Sequence, residues 1–208
     1  MTTTNLKRWG IPAAAALIAA AISLYYYAEL PEMMAVHFGP SDEPDRYMNK
    51  AFGAFLMPVI MLFVTAVTNA SAKLERDESK RRRFEGVNDT VNVVVVVLLL
   101  AVHLLTVGFN LGYAIRISLF VPLAVGLVFI AVGNVLPRAP QGTLKAFRMK
   151  EEHYAKYARF HGRFMVVAGF LMLLSTLLPG EAGMYFMFFV IAALLISVIG
   201  GATYFAKR

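Results

Sequence analysis

The chain has 208 residues, 59% of them apolar, with a mean hydropathy of +0.63; soluble domains run nearer about 45–50% apolar, so lipid is the expected solvent. There is no cysteine, which excludes disulfides and thiolate metal sites. The formal net charge of +7 would suggest nucleic acid only if the cations sat on a folded soluble module, and they sort by loop instead.

Spanning the hydrocarbon core as a helix takes about 20 predominantly apolar residues. Six stretches qualify: Gly10–Ala28, Phe52–Ala70, Val91–Phe109, Ile117–Leu136, Phe164–Leu178, which is short and can extend back into Ala158–Arg163, and Met184–Phe205. Inside a bilayer each backbone N–H and C=O must be satisfied within its own segment, so all six are expected to be helical. This includes Val93–Val97, where β-branched side chains alone would favour strand. The first stretch follows Lys7 and Arg8 in the manner of a leader peptide, but five further spans make it an uncleaved helix in this reading. The fold expected is therefore an all-α polytopic bundle.

The loops fix its orientation. The N-terminal tail, the second loop, the fourth loop and the C-terminus hold seventeen of the twenty Lys and Arg residues. The opposite side has Arg46, Lys50 and Arg116. Basic loops stay cytoplasmic, so both termini are expected inside. Along the chain this gives residues 1–70 as two spans around an acidic outward loop at 29–50, residues 71–90 as a basic inner loop, and residues 91–208 as a four-span region with an inner loop at 137–163. The outward loop has five acids against two bases and three prolines, which favour turns. In Thr143–Phe164, the residues Leu144, Phe147, Tyr154, Tyr157, Phe160 and Phe164 recur at helical spacings, predicting an amphipathic helix in the inner interface with its cations near anionic lipid headgroups.

No hydrolase elbow, phosphate loop, His-Glu-x-x-His pair or nucleotide fingerprint is present. Two constellations remain. In the outward loop, His37, Asp42, Glu43, Asp45 and Lys50 are a ligand set for a cationic peptide or a divalent ion, and equally the contents of an ordinary solvated loop. At the inner end of the fourth span, Gly133-Asn134-Val135-Leu136-Pro137 is followed by Arg148. An Asn at a membrane-helix end bonds to a neighbouring helix or caps a broken one; the plain alternative is a helix stop before Pro137. His103 lies midway along the third span, where a polar side chain is costly and faces the bundle interior or a cavity. Asn92 and Asn110, near that helix's ends, read as interfacial. The run Lys80, Arg81, Arg82 and Arg83 fits an inner-face partner or anionic lipid, or topology alone. Three further readings stay open: a small proton-coupled transporter using His103, a metal-dependent membrane enzyme built on His37 and the aspartates, and a scaffold that holds a soluble partner on the Lys80–Arg83 loop.

Leu30-Pro31, His37-Phe38, Pro44-Asp45 and Lys50, in that order, resemble the N-terminal domain of the SdpI-like bacterial immunity proteins, and Gly133–Arg138 with Gly162–Gly169 resembles the same family's second domain. The chain departs from the pattern at Ala35 (a proline in the family), Asp42 (the turn glycine), Gly142 and Ala146, and it lacks a Pro-Trp-Thr-Leu segment. The resemblance implies a non-enzymatic membrane protein without cofactors. Its partners would be a secreted membrane-active peptide toxin at the outward loop and a cytoplasmic repressor at the inner loops. Lys80–Arg83 and Arg148 would serve the second role, and no nucleic-acid contact is implied.

Overall fold

A computed structural model describes residues 5–141, 149–179 and 181–206. A π-helical turn at Leu6–Gly10 leads into α1 (Ile11–Tyr26), followed by a hairpin of β1 (Met33–Phe38) and β2 (Pro44–Asn49), then α2 (Lys50–Ala72), α3 (Glu78–Asn110), α4 (Ile117–Val135), α5 (Glu151–Ser175) and α6 (Ala182–Ala206). All six helices are long and apolar enough to cross a membrane. This is a multi-pass membrane protein. Buried Pro58 and Pro122 lie inside α2 and α4, a placement membrane helices tolerate because neighbouring groups re-satisfy the freed carbonyls.

The helices form two clusters of three, α1–α3 and α4–α6, which meet along a looser seam between α3 and α4. In the first cluster the buried face of α3 reads Asp89, Asn92, Val96, His103, Thr106 and Val107, residues at sums of three and four that share one helix face. In the second, α4 and α5 touch backbone to backbone. A Cβ on Gly133 would lie 2.6 Å from the Gly162 carbonyl, and one on Gly169 would lie 2.5 Å from the Gly126 carbonyl. Small residues at a crossing let membrane helices approach this closely. Met172, Met184, Met187 and Leu194 fill the space against α6.

Charged groups mark the two ends. At one end Arg8 binds Asp89 and Glu85, and Lys80 binds Glu151; Phe205 packs on Tyr157 there as well. The N-terminal segment, the second and fourth loops and the end of α6 thus lie together, and the excess of basic residues makes that end cytoplasmic.

Two expectations need correction. The stripe from Tyr154 to Phe164 is not a separate interfacial helix: it forms the first turns of α5, continuous from Glu151 through the bilayer to Ser175. Residues 143–147 of that prediction, together with Arg148, lie outside the described residues. The outward loop is a hairpin, because Met33–Phe38 and Pro44–Asn49 pair antiparallel across the turn at residues 39–43.

Candidate functional site

The hairpin is held to the bundle from below at four places. Met34, with no exposed surface, packs with Leu30, Ala54 and Val107, and Phe38 meets Phe109 edge to face at 4.6 Å. Asn110, at the last turn of α3, pairs both polar groups of one strand residue: the Ala35 N–H donates to Asn110 Oδ1 at 2.8 Å, and Asn110 Nδ2 donates to the Ala35 carbonyl at 2.9 Å. The amide stands in for a neighbouring strand. A proline at position 35 would have no N–H to give, so the departure at Ala35 supplies half of this contact.

The fourth attachment is Asp42. It is the one non-glycine residue with positive φ, at 66°, among the described residues, a region that Asp tolerates better than most residues. Where the family pattern has glycine, this chain keeps the backbone geometry and adds a carboxylate. That carboxylate accepts from the Ser118 N–H at 2.5 Å and from the Ser118 hydroxyl at 2.7 Å. Ser118 is the second residue of α4, whose own N-cap position is Arg116 and offers no side-chain acceptor. Asp42 therefore caps α4 from 76 residues away, satisfying a free N–H and placing negative charge at the helix N-terminus. It also bridges the two helix clusters at their outer end.

The other outward candidates separate. His37 Nδ1 lies 2.5 Å from Asp45 Oδ1, both side chains being more than half exposed. Glu43 is exposed at the tip. Lys50 is drawn under the hairpin, where its Nζ contacts Glu32 at 3.3 Å and sits 5.2 Å from the centre of the Tyr27 ring. The cluster is thus one His–Asp pair, a clasp and a buttress rather than a shared ligand shell. Among the described residues no three His, Asp or Glu side chains converge as a metal site would require.

In the membrane interior His103 has no exposed surface. Its Nε2 lies 3.1 Å from both the Ala19 carbonyl and Ser23 Oγ, while the Ser23 hydroxyl donates to the Ala54 carbonyl at 2.6 Å. One imidazole thereby ties α3 to α1, and through Ser23 to α2. Nδ1 has no hydrogen-bond partner among the described residues. Asn92 is 2% exposed and receives the Thr65 hydroxyl at 3.3 Å. It is interior, not interfacial, and Asn110 is the hairpin's anchor.

At the inner corner Asn134 bonds to the Ile130 carbonyl of its own helix at 3.0 Å and is exposed, and among the described residues it bridges to no neighbouring helix. The motif glycine does the packing there, with Pro137 lying against Gly162. The basic run is largely engaged. Lys80 pairs with Glu151, Arg81 with Glu78 and Glu85, and Arg82 with Glu78. Asp77 caps the helix that carries them, accepting the Lys80 N–H at 3.0 Å. That hydrogen bond, helped by the Ser79 hydroxyl, holds the Asp77 carboxyl below the usual carboxylate range.

Sequence reading missed the Arg8–Asp89–Glu85 cluster, the Asp42 clasp and His161. His161 is 2% exposed, and its ring nitrogens face the Tyr157 carbonyl at 3.2 Å and the Ser197 carbonyl at 2.9 Å, joining α5 to α6. Its spacing of seven from Ala168, on one helix face, was the available signal.

The six apolar helices define a class, the multi-pass bacterial membrane protein. Residues 14–62 match a family described as a domain of unknown function, DUF1648. Over 191 residues the chain is 28% identical to the immunity protein SdpI of Bacillus subtilis (strain 168), covering 89% of each chain. The resemblance read from motif order therefore extends along nearly the whole molecule. No solved structure matches.

Proposed function

We propose that this chain is a membrane immunity protein, which protects its host from a secreted membrane-active peptide by meeting that peptide at the outer hairpin. The observation that carries the reading is the similarity to an immunity protein across 89% of both chains. The hairpin suits the role. Glu32, Glu43 and Asp45 are exposed together with Met33 and Tyr47, a combination complementary to a cationic, amphipathic peptide. Binding rather than catalysis is the activity assigned.

Signalling to a cytoplasmic repressor is the finer part of the same reading. Arg82 and Arg83, exposed on the inner end of α3, are the surface it would use.

The test is survival of a peptide-sensitive Gram-positive strain expressing the chain, challenged with a panel of membrane-active peptides. Wild type should protect against at least one. The double variant Glu43→Lys/Asp45→Lys, at equal membrane expression, should lose most of that protection. Protection by wild type that is undiminished in the double variant would remove the hairpin from the reading. No protection against any peptide would remove immunity itself.

A further inference from the structure

Two clefts open on the seam between the helix clusters. The first, of about 440 Å³, lies between α3 and α4, runs from Val93 to Leu105 on α3 and from Phe120 to Ala131 on α4, and has only apolar lining residues. Twelve residues of helix correspond to about 18 Å, close to the depth of one leaflet of a bilayer whose hydrocarbon core is about 30 Å thick. The second, of about 390 Å³, lies at the cytoplasmic end of the same seam. There Lys80 and Arg83 from α3 meet Arg138 after α4, and Glu151 and Tyr154 from α5.

The two clefts share a face. On α3 the positions Arg83, Gly86, Thr90, Val93 and Val97 follow at spacings of three and four, as do Ala131, Asn134 and Arg138 around the end of α4. The intervening positions are small or polar: a Cβ at Gly86 would meet nothing within 4 Å, and Asn134 has an exposed amide. From Val93 to Arg83 is about 15 Å along the axis. The headgroup layer and the reach of a snorkelling arginine span that distance.

The charges are asymmetric. Glu151 is the single acid lining the inner cleft, and Lys80 neutralises it at 2.9 Å. Among the described residues Arg83 and Arg138 hold no ion pair of their own. The seam thus places two cations above an apolar groove one leaflet deep.

We propose that this seam is a binding site for one anionic phospholipid of the inner leaflet, with an acyl chain in the α3–α4 groove and its phosphate at Arg83 and Arg138. The lipid would fill the seam where α3 meets α4 and join the two clusters at the cytoplasmic end, as Asp42 joins them at the outer end. This site is distinct from the hairpin and does not depend on the toxin reading; it shares Arg83 with the surface assigned above to a repressor, so the lipid and that partner would compete for this side chain.

Native mass spectrometry of the full chain in detergent, with phosphatidylglycerol or phosphatidylcholine of identical acyl chains, tests it. One phosphatidylglycerol should be retained, roughly ten- to thirty-fold more strongly than phosphatidylcholine, the margin expected from two cations near a headgroup. Arg83→Ala/Arg138→Ala should erase that preference, and Ala131→Trp, which fills the groove and keeps both arginines, should weaken both lipids. Arg82→Ala removes a neighbouring cation outside the cleft and should leave retention unchanged. Equal retention of the two lipids would overturn the proposal. So would equal losses in Arg82→Ala and the double variant, or full retention in Ala131→Trp with the protein monodisperse.

Discussion

The two helix clusters solve the same problem with a different balance of means, although the second keeps the interhelical side-chain bond from His161 to the Ser197 carbonyl. In lipid no hydrophobic force drives apolar helices together, so association rests on close packing and on hydrogen bonds between helices. The first cluster uses side chains: Asp89, Asn92 and His103 on α3 reach Arg8, Thr65 and Ser23 on its neighbours. The second uses their absence, bringing α4 and α5 together where Gly126 faces Gly169 and Gly133 faces Gly162. A hydrogen-bonded cluster degrades in steps as partners are removed. A glycine crossing fails abruptly, because any added side chain must push two backbones apart. The hairpin sits on the first cluster and reaches the second through a single residue, Asp42.

The sharpest way to break the contrast is Gly133→Leu. With a Cβ 2.6 Å from the Gly162 carbonyl, it should cost about 3 kcal/mol or more and abolish a monodisperse peak in fluorescence-detected size exclusion. Gly200→Leu, where a Cβ meets nothing within 4 Å, should be silent. Next in size is Arg8→Ala, which strands Asp89 at 8% side-chain exposure. It should cost about 2–3 kcal/mol in thermal unfolding, and adding Asp89→Asn should recover much of the loss. If that rescue does not occur, the first cluster is not held by this charge pair.

His103→Leu should be milder, about 1 kcal/mol, the scale of interhelical hydrogen bonds in membranes. A loss as large as that of Gly133→Leu would erase the distinction between the clusters. Asp42→Gly keeps a backbone that favours positive φ and removes the cap; it should cost about 1 kcal/mol and raise hydrogen exchange at residues 33–49 and 117–121 together. Exchange rising in only one of the two segments would show that the clasp does not couple them. The smallest effect is at Asp77. Its lowered carboxyl contributes stability above the ordinary carboxylate range, lost as pH falls through the lowered value. Protection of the first turn of α3 should therefore fade on acidification, and Asp77→Asn should flatten that dependence.

The six spans and the gathering of the basic segments at one end were legible because hydropathy and cation placement act over tens of residues. Helix α5 was read too short, since Tyr154, Tyr157 and Phe160 look interfacial until α6 is seen packing beside them. The hairpin was hidden by prolines at its tip, and strand pairing between short segments leaves little periodicity to read. Sequence proximity groups Asp42 with His37 and Asp45, whereas its hydrogen-bond partner is Ser118, 76 residues away. The polar face of α3 was present in the spacing of Asp89, Asn92, His103 and Asn110, but single-residue judgements divided it between interface and interior.

The long reach of Asp42 also has a consequence in time. Helices of a polytopic protein enter the membrane in order of synthesis, so α4 is inserted after the hairpin has been exported. Its first turn carries an open N–H until Asp42 arrives from an already translocated segment. The clasp can close only when both clusters are in place and in register at the outer surface. A chain with α4 mis-oriented or missing would leave the hairpin tip unattached and open to proteases on the outside. The same contact thus serves as a check on completed assembly, exposed where external quality control can act on it.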